Sequence, residues 1–188
     1  MVIKYFDGTL PAEKKSGEFD DALIEAIKGL RATVDEAVEN TQLNVALAEI
    51  FKVISAANKY IDETAPWILA KNEEEKPRLA MVLYNLLEAI RVTTTLLSAF
   101  MPTDMPKVWE QIGATENDVS YENADKYGVL SQTVTVKKGD IIFPRIDVEK
   151  EIDELNAPIM AASPKEEDED KANLVPISET ISIEDFCK

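Results

Sequence analysis

Leu43, Leu47, Ile50, Ile54, Ala57 and Ile61 recur at intervals of 4, 3, 4, 3 and 4 residues, and that spacing commits the middle of the chain to a long amphipathic helix. The stripe runs into Ala65-Pro66-Trp67. Proline has no backbone donor and keeps the preceding residue out of the right-handed helical region, so the helix must stop there. Trp67 follows on the corner, where an indole sits either against the core or against a ligand. Taken alone, a core tryptophan at a helix corner is the simpler reading.

The same logic divides the rest of the chain. A first helix is predicted from about Glu18 to Glu39, with Phe19, Leu23, Ile27, Leu30, Val34 and Val38 on one face. Gly29 weakens it modestly, and Asn40 is expected to close it and to cap the next. After the charged linker Lys71–Lys76, Pro77 suits the first turn of a third helix. That helix carries Leu79, Leu83, Leu86, Leu87, Ile90, Thr94, Leu97 and Phe100. Its doubled apolar pairs make it the expected most buried element, with Arg91 on its surface. A short fourth helix fits Pro106–Ile112 with Gly113 as its stop and Trp109 in the core.

Three long helices and a short one over residues 18–113 read as an all-α, antiparallel helical bundle, preceded by an extended lead-in over 1–17. Residues 114–155 form a return segment in which Thr133–Val136 and Ile141–Phe143 flank a turn-like Lys137–Asp140. They read as a two-stranded ribbon followed by a short helix from Asp147 to Leu155. Residues 156–176, with the run Glu166–Asp170, have the composition of an acidic disordered linker.

The 188 residues contain no histidine and one cysteine, Cys187. This removes Ser-His-Asp and Cys-His catalysis and a Cys-built zinc site, and it fits a reducing cytoplasm. No GxGxxG or GxxxxGK[ST] phosphate loop occurs. No apolar run reaches bilayer length. Acidic pairs such as Asp20-Asp21 and Asp35-Glu36 read as solvated helix faces rather than acid/base machinery. The chain therefore offers no catalytic residue, no metal site and no cofactor site.

The net charge of −16 argues against general nucleic-acid affinity. However, residues 151–188 hold 11 acidic and 3 basic side chains, so half of the excess lies in the last fifth of the chain. An RNA contact would have to be local, made by stacking and base edges.

Three ordered elements carry a resemblance. They are Phe6-Asp7-Gly8; Asn58-Lys59-Tyr60-Ile61-Asp62 through Pro66-Trp67 to Lys71; and Phe143-Pro144-Arg145-Ile146-Asp147. Over roughly Tyr5–Leu155 the chain resembles the helical anticodon-binding domain of methionyl-tRNA synthetases, class I aminoacyl-tRNA synthetases. Asn-Lys-Tyr before Ala-Pro-Trp fits this type better than the related leucyl, valyl or isoleucyl enzymes.

The resemblance implies a partner, a methionine-specific tRNA with a CAU anticodon, and no DNA or membrane partner. It also implies an ATP-using parent enzyme, a methionine–tRNA ligase of the cytoplasm. The catalytic motifs of that class, His-Ile-Gly-His-type and Lys-Met-Ser-Lys-Ser-type, are absent from these residues. The chain is therefore expected to be a fragment that recognises tRNA without activating methionine. The Asn and Arg with which the family reads bases a few residues before Phe-Asp-Gly would fall before Met1. Residues 177–188 resemble the opening of the OB-fold tRNA-binding domain through which many bacterial parents homodimerise.

In the family the Trp of Ala-Pro-Trp packs against the first anticodon base, which designates Trp67 as the stacking residue and Pro66 as its neighbour and wall. Asn58 is a candidate for a base edge, although an Asn near a helix end more often bonds locally. Lys59 and Lys71 are candidates for phosphates. Tyr60 fits either a stacking surface or the core, with the core favoured. The competing hypothesis is a structural or partner-docking helical domain with an acidic interaction tail. It accounts for the charge but not for the three ordered motifs.

Overall fold

The computed structural model describes residues 1–162, with side chains to Pro158. Among them are seven α-helices: α1 Val2–Phe6, α2 Asp20–Glu39, α3 Leu43–Thr64, α4 Pro66–Leu69, α5 Lys76–Leu97, α6 Met105–Ile112 and α7 Val148–Ala162. Single 3₁₀ turns lie at Glu73–Glu75 and Tyr121–Asn123. The all-α bundle expected from the sequence is present, and α2, α3 and α5 each pack against the other two.

Only three residues, Asn40–Gln42, join α2 to α3, so the two must run antiparallel. Asn40 closes α2 as expected, its Nδ2 donating to the Glu36 carbonyl at 2.9 Å. It does not cap α3. Gln42 occupies that N-cap position and makes no side-chain cap bond.

The buried face of α3 is rotated from the one its stripe suggested. Ala46, Ile50, Val53 and Tyr60 are buried, while Leu43 is 52% exposed. Both sets obey helical spacing and share Ile50. The polar atom of Tyr60 hid it from a purely apolar count, and its burial turns the helix by about one position. Phe19 and Val38 are likewise exposed, with Ala37 taking the inner place at the end of α2.

Helix α5 is the central element, with 16 of its 22 residues buried. The segment Glu73–Leu97 has the length and hydropathy of a membrane span, yet 83% of its apolar 18-residue stretch is buried inside the protein. It is a core helix. Arg91 is not on its surface. Its side chain is fully buried, donating to Glu88 Oε2 at 2.8 and 3.0 Å and to the carbonyls of Asp118 and Asn123 at 3.0 Å each, and also to the Lys126 carbonyl. Glu88 in turn accepts the Leu130 amide at 2.7 Å. A buried charge is tolerated only when paired and hydrogen-bonded, and the return segment supplies those partners.

The lead-in is not simply extended, since it opens with α1. Nor does the expected ribbon between Thr133–Val136 and Ile141–Phe143 form. Instead Thr135 bridges antiparallel to Thr9. Leu10 N donates to the Val134 carbonyl at 3.0 Å and Val136 N to the Gly8 carbonyl at 2.8 Å. An isolated hairpin is marginal, whereas pairing with residues 8–10 buries Leu10, Leu130 and Val134 in one cluster with Leu79, Leu83 and Leu87 of α5.

Two glycines make this approach feasible. Gly113 ends α6 at φ 70°, and a Cβ there would lie 2.0 Å from the Thr135 carbonyl oxygen. Gly8 of Phe6-Asp7-Gly8 sits at φ 93° with its would-be Cβ 3.3 Å from the Val136 carbonyl oxygen.

Residues 1–142 form one compact unit, and Phe143 onward belongs to a second. In the latter, α7 extends beyond the expected Leu155 to Ala162, so the first part of the segment read as disordered is helical. Its start is stabilised by Glu149 and Glu151 in the first turn. The acidic run Glu166–Asp170 and residues 177–188 lie outside the described residues.

Candidate functional site

The block from Ala57 to Lys71 forms a two-helix corner. Ala65 adopts the left-handed conformation, φ 42° and ψ 62°, and its amide donates to the Ile61 carbonyl at 2.9 Å. That single bond closes α3 in the manner of a left-handed C-cap. Pro66 then starts α4 at the first position, where its missing donor costs nothing. One turn follows, with Ile68 N bonded to the Ala65 carbonyl at 2.8 Å and Ala70 N to the Pro66 carbonyl at 3.0 Å.

The inner side of this turn comprises buried Pro66 and half-buried Leu69 and Ala70, the last two packing against the core. The outer side presents Trp67, 45% exposed, and Ile68, 58% exposed. A half-exposed indole on a pinned backbone is a ready stacking surface. Pro66, being buried, acts on the backbone of the corner rather than as an exposed wall.

The other sequence candidates are distributed around this corner. Asn58 is exposed on α3 and lines a shallow apolar groove of about 190 Å³ with Ile54, Ile61, Leu86 and Ile90. Trp67 is not among the residues lining that groove, so the structure does not bring Asn58 and Trp67 into one cavity. Lys59 is exposed and lies 3.3 Å from Glu63 in an i,i+4 ion pair. Lys71 is exposed just beyond α4. Asp62, Glu63 and Glu73–Glu75 flank the same stretch, so the local field does not favour a polyanion.

Behind the corner lies a buried polar network that the sequence did not disclose. Tyr60 is 2% exposed, which settles it as a core residue. Its hydroxyl donates to Asp20 Oδ1 at 2.6 Å and accepts from Asn85 Nδ2 at 2.9 Å. Arg78 grips Asp20 with both terminal nitrogens, Nη2 to Oδ1 at 2.7 Å and Nη1 to Oδ2 at 2.9 Å. The Gly17 amide adds a bond to Oδ2 at 3.0 Å, and Tyr127 donates to Asn85 Oδ1.

Asp20 is therefore not part of a solvated face, although Asp21 is exposed. Burial pushes the Asp20 carboxyl up, but the bonds from Arg78, Tyr60 and Gly17 outweigh that and hold it below the usual carboxylate value. Burial, together with the neighbouring Asp20 carboxylate, raises the Tyr60 phenol. Burial and the carboxylates of Glu88 and Asp20 push Tyr127 up to about 12, so it stays a donor at neutral pH. The one signal in the sequence was the placement of Asp20, three residues before the core position Leu23 on the first turn of α2.

Comparison with known proteins agrees with this architecture. The family described as the anticodon binding domain of methionyl tRNA ligase matches residues 10–158. A methionine–tRNA ligase of Caldanaerobacter subterraneus subsp. tengcongensis is 44% identical over all of this chain and 28% of its own length. That of Lactococcus lactis is 43% identical over 81% of this chain and 23% of its own. Among solved structures, the apo form of methionyl-tRNA synthetase from Mycobacterium tuberculosis superposes with a TM-score of 0.71 at 27% identity. The match covers 78% of this chain and 30% of that one. The matches thus span between 23% and 30% of the length of these relatives.

Proposed function

We propose, from the premise that this chain belongs to the methionyl-tRNA ligase anticodon-binding family, that its α3–α4 corner stacks the first base of a CAU anticodon on Trp67. An anticodon-binding domain has tRNA as its partner, and the choice of base and residue is the finer reading offered here. The observation behind it is the half-exposed Trp67 on a one-turn helix whose opposite side is packed into the core. Stacking of one base on such a ring contributes about 1–3 kcal/mol. It needs no favourable field, which suits a corner flanked by acidic residues.

Lys71 and Lys59 supply phosphate contacts within reach of the corner, Lys59 after exchanging its Glu63 partner, and Asn58 supplies a base-edge contact. The longer protein to which such a domain belongs would attach methionine to its tRNA with ATP, in the cytoplasm and as a homodimer in the manner of many bacterial members. These 188 residues hold no cofactor role in that chemistry.

The test is a titration of the 188-residue chain with a CAU anticodon stem-loop, followed by tryptophan fluorescence. CAU-selective quenching that disappears in Trp67→Ala supports the proposal. Equal responses to CAU and unrelated loops defeat it. A partner-docking role draws on the acidic tail, and no observation favours it.

A further inference from the structure

We propose that the Asp20–Arg78 ion pair is a positioning device for Trp67: by holding Tyr60 it fixes the end of α3, and with it the left-handed corner from which the indole projects. This inference rests on the reading of Trp67 as the stacking residue.

The path is continuous. Asp20 begins α2 and Arg78 lies in the first turn of α5, and the two meet with side chains 2% and 11% exposed. Tyr60 of α3 bonds to Asp20 on one side and to Asn85 of α5 on the other, so the last turns of α3 are tied to both neighbouring helices. The Tyr60 carbonyl accepts the Thr64 hydroxyl at 2.6 Å. Thr64 is the last residue of α3, and Ala65 follows at φ 42°.

A residue with a Cβ adopts that conformation rarely, and it persists only where the surroundings over-determine it. Here the determinants are the Tyr60 anchor before the corner and the packing of Pro66 and Leu69 after it. Gly17 is part of the same device, because a Cβ there would lie 2.7 Å from Arg78 Cζ.

A buried ion pair adds little net stability over an apolar pair of similar volume. Its occurrence at the convergence of three helices is better matched to fixing geometry than to holding the bundle together. The two readings therefore predict different behaviour when the pair is replaced rather than broken.

The experiment uses the 188-residue chain with Trp109→Phe, which leaves Trp67 as the only tryptophan. Two variants are compared in that background: Asp20→Leu with Arg78→Met, which substitutes the pair, and Tyr60→Phe, which keeps the ring and the pair but cuts the link between them. Time-resolved anisotropy and acrylamide quenching report the mobility of Trp67, circular dichroism reports the fold, and titration with the CAU stem-loop reports recognition.

The expected result is unchanged helicity, with a new fast component in the Trp67 anisotropy in both variants. CAU affinity should fall about tenfold, equivalent to losing much of one stacking contact. Unchanged Trp67 anisotropy in a folded variant overturns the proposal, and if the double substitution does not fold, Tyr60→Phe decides. Should the unsubstituted chain fail to select CAU, the anticodon reading is what fails, and the anisotropy alone then decides the positioning role.

Discussion

Removing a single oxygen from Tyr60 tests whether the network behind the corner is physically what its geometry implies. In Tyr60→Phe the ring still fills its place among α2, α3 and α5, so no cavity of consequence is created. Asp20 loses its 2.6 Å hydroxyl donor, although Arg78 and Gly17 remain. Asn85, fully buried, loses the acceptor for its Nδ2 at 2.9 Å.

A hydrogen bond to a charged group contributes about 1.5–3 kcal/mol, and a buried donor left unpaired costs about 1–3 kcal/mol. Partial relaxation makes these less than additive, so the expected loss is about 2–4 kcal/mol. At roughly 2–4 °C per kcal/mol for a chain of this size, Tm should fall by about 4–16 °C. Urea unfolding followed by circular dichroism at 222 nm measures it, with the m-value expected to stay constant. In an Asp20→Ala background the same substitution should cost at least about 0.5 kcal/mol less, because the shared partner has gone. A cost below about 0.5 kcal/mol with intact Asp20 would refute the reasoning, since that is the level of an ordinary surface substitution.

Other expected outcomes follow from the same contacts. The folded-state pKa of Asp20 is depressed, so the unfolded chain binds the extra proton. The stabilisation is complete above the unfolded value of about 3.9 and is lost as pH falls through the lower folded value. Acid titration of stability should therefore show a limb below about pH 4 that is reduced in Asp20→Asn. Gly113→Ala should lower stability by at least about 1–3 kcal/mol on thermal unfolding, because it strains a φ of 70° and drives a methyl to 2.0 Å from the Thr135 carbonyl oxygen. Arg91→Met leaves Glu88 buried and unpaired and should cost about 3–5 kcal/mol in urea, whereas adding Glu88→Leu should recover much of it. Limited proteolysis should cut residues 118–130 faster in both variants than in the unsubstituted chain, because both lose the Arg91 bonds to the carbonyls of Asp118, Asn123 and Lys126.

The helix boundaries were legible because their determinants are local. Pro66, Pro77 and Gly113 act on their own backbone or on the residue beside them, and α3, α5 and α6 begin or end within one or two residues of where they were expected. Chemistry that joins distant positions was not legible. Asp20 meets Arg78 across 58 residues, and an acidic pair at a helix start looks the same whether it faces water or an arginine. Arg91 sits among apolar neighbours in α5, and Glu88 together with the carbonyls of residues 118–126 explains why its charge can be buried. Thr133–Val136 has the alternation of a strand, but alternation does not name the partner, which proved to be residues 8–10. At the corner, Pro66 and the residues before it placed Trp67 just beyond the end of α3. Its exposure, and the burial of Pro66 beneath it, required the fold.

Among the described residues two buried ion pairs involve α5, and each ties that helix to another part of the fold. Asp20–Arg78 ties its start to α2 and to the end of α3 next to the Trp67 corner. Glu88–Arg91 ties its middle to the return segment, whose Thr135 and Val136 carbonyls approach Gly113 and Gly8. Apolar side chains pack without direction, so the clusters around Ile50 and Leu83 can hold the helices together while tolerating small rotations and slides. A guanidinium gripping a carboxylate through two bonds tolerates far less, since its planar fork fixes both distance and orientation. The division of labour follows: apolar contacts provide most of the stability, and the Asp20–Arg78 clamp, which joins two helices, restricts their register, while Glu88 and Arg91, three residues apart on α5, act on the return segment through its backbone groups. Under the proposed stacking on Trp67, register is what matters, because the acidic residues flanking the corner offer a polyanion no long-range attraction to compensate for a displaced indole.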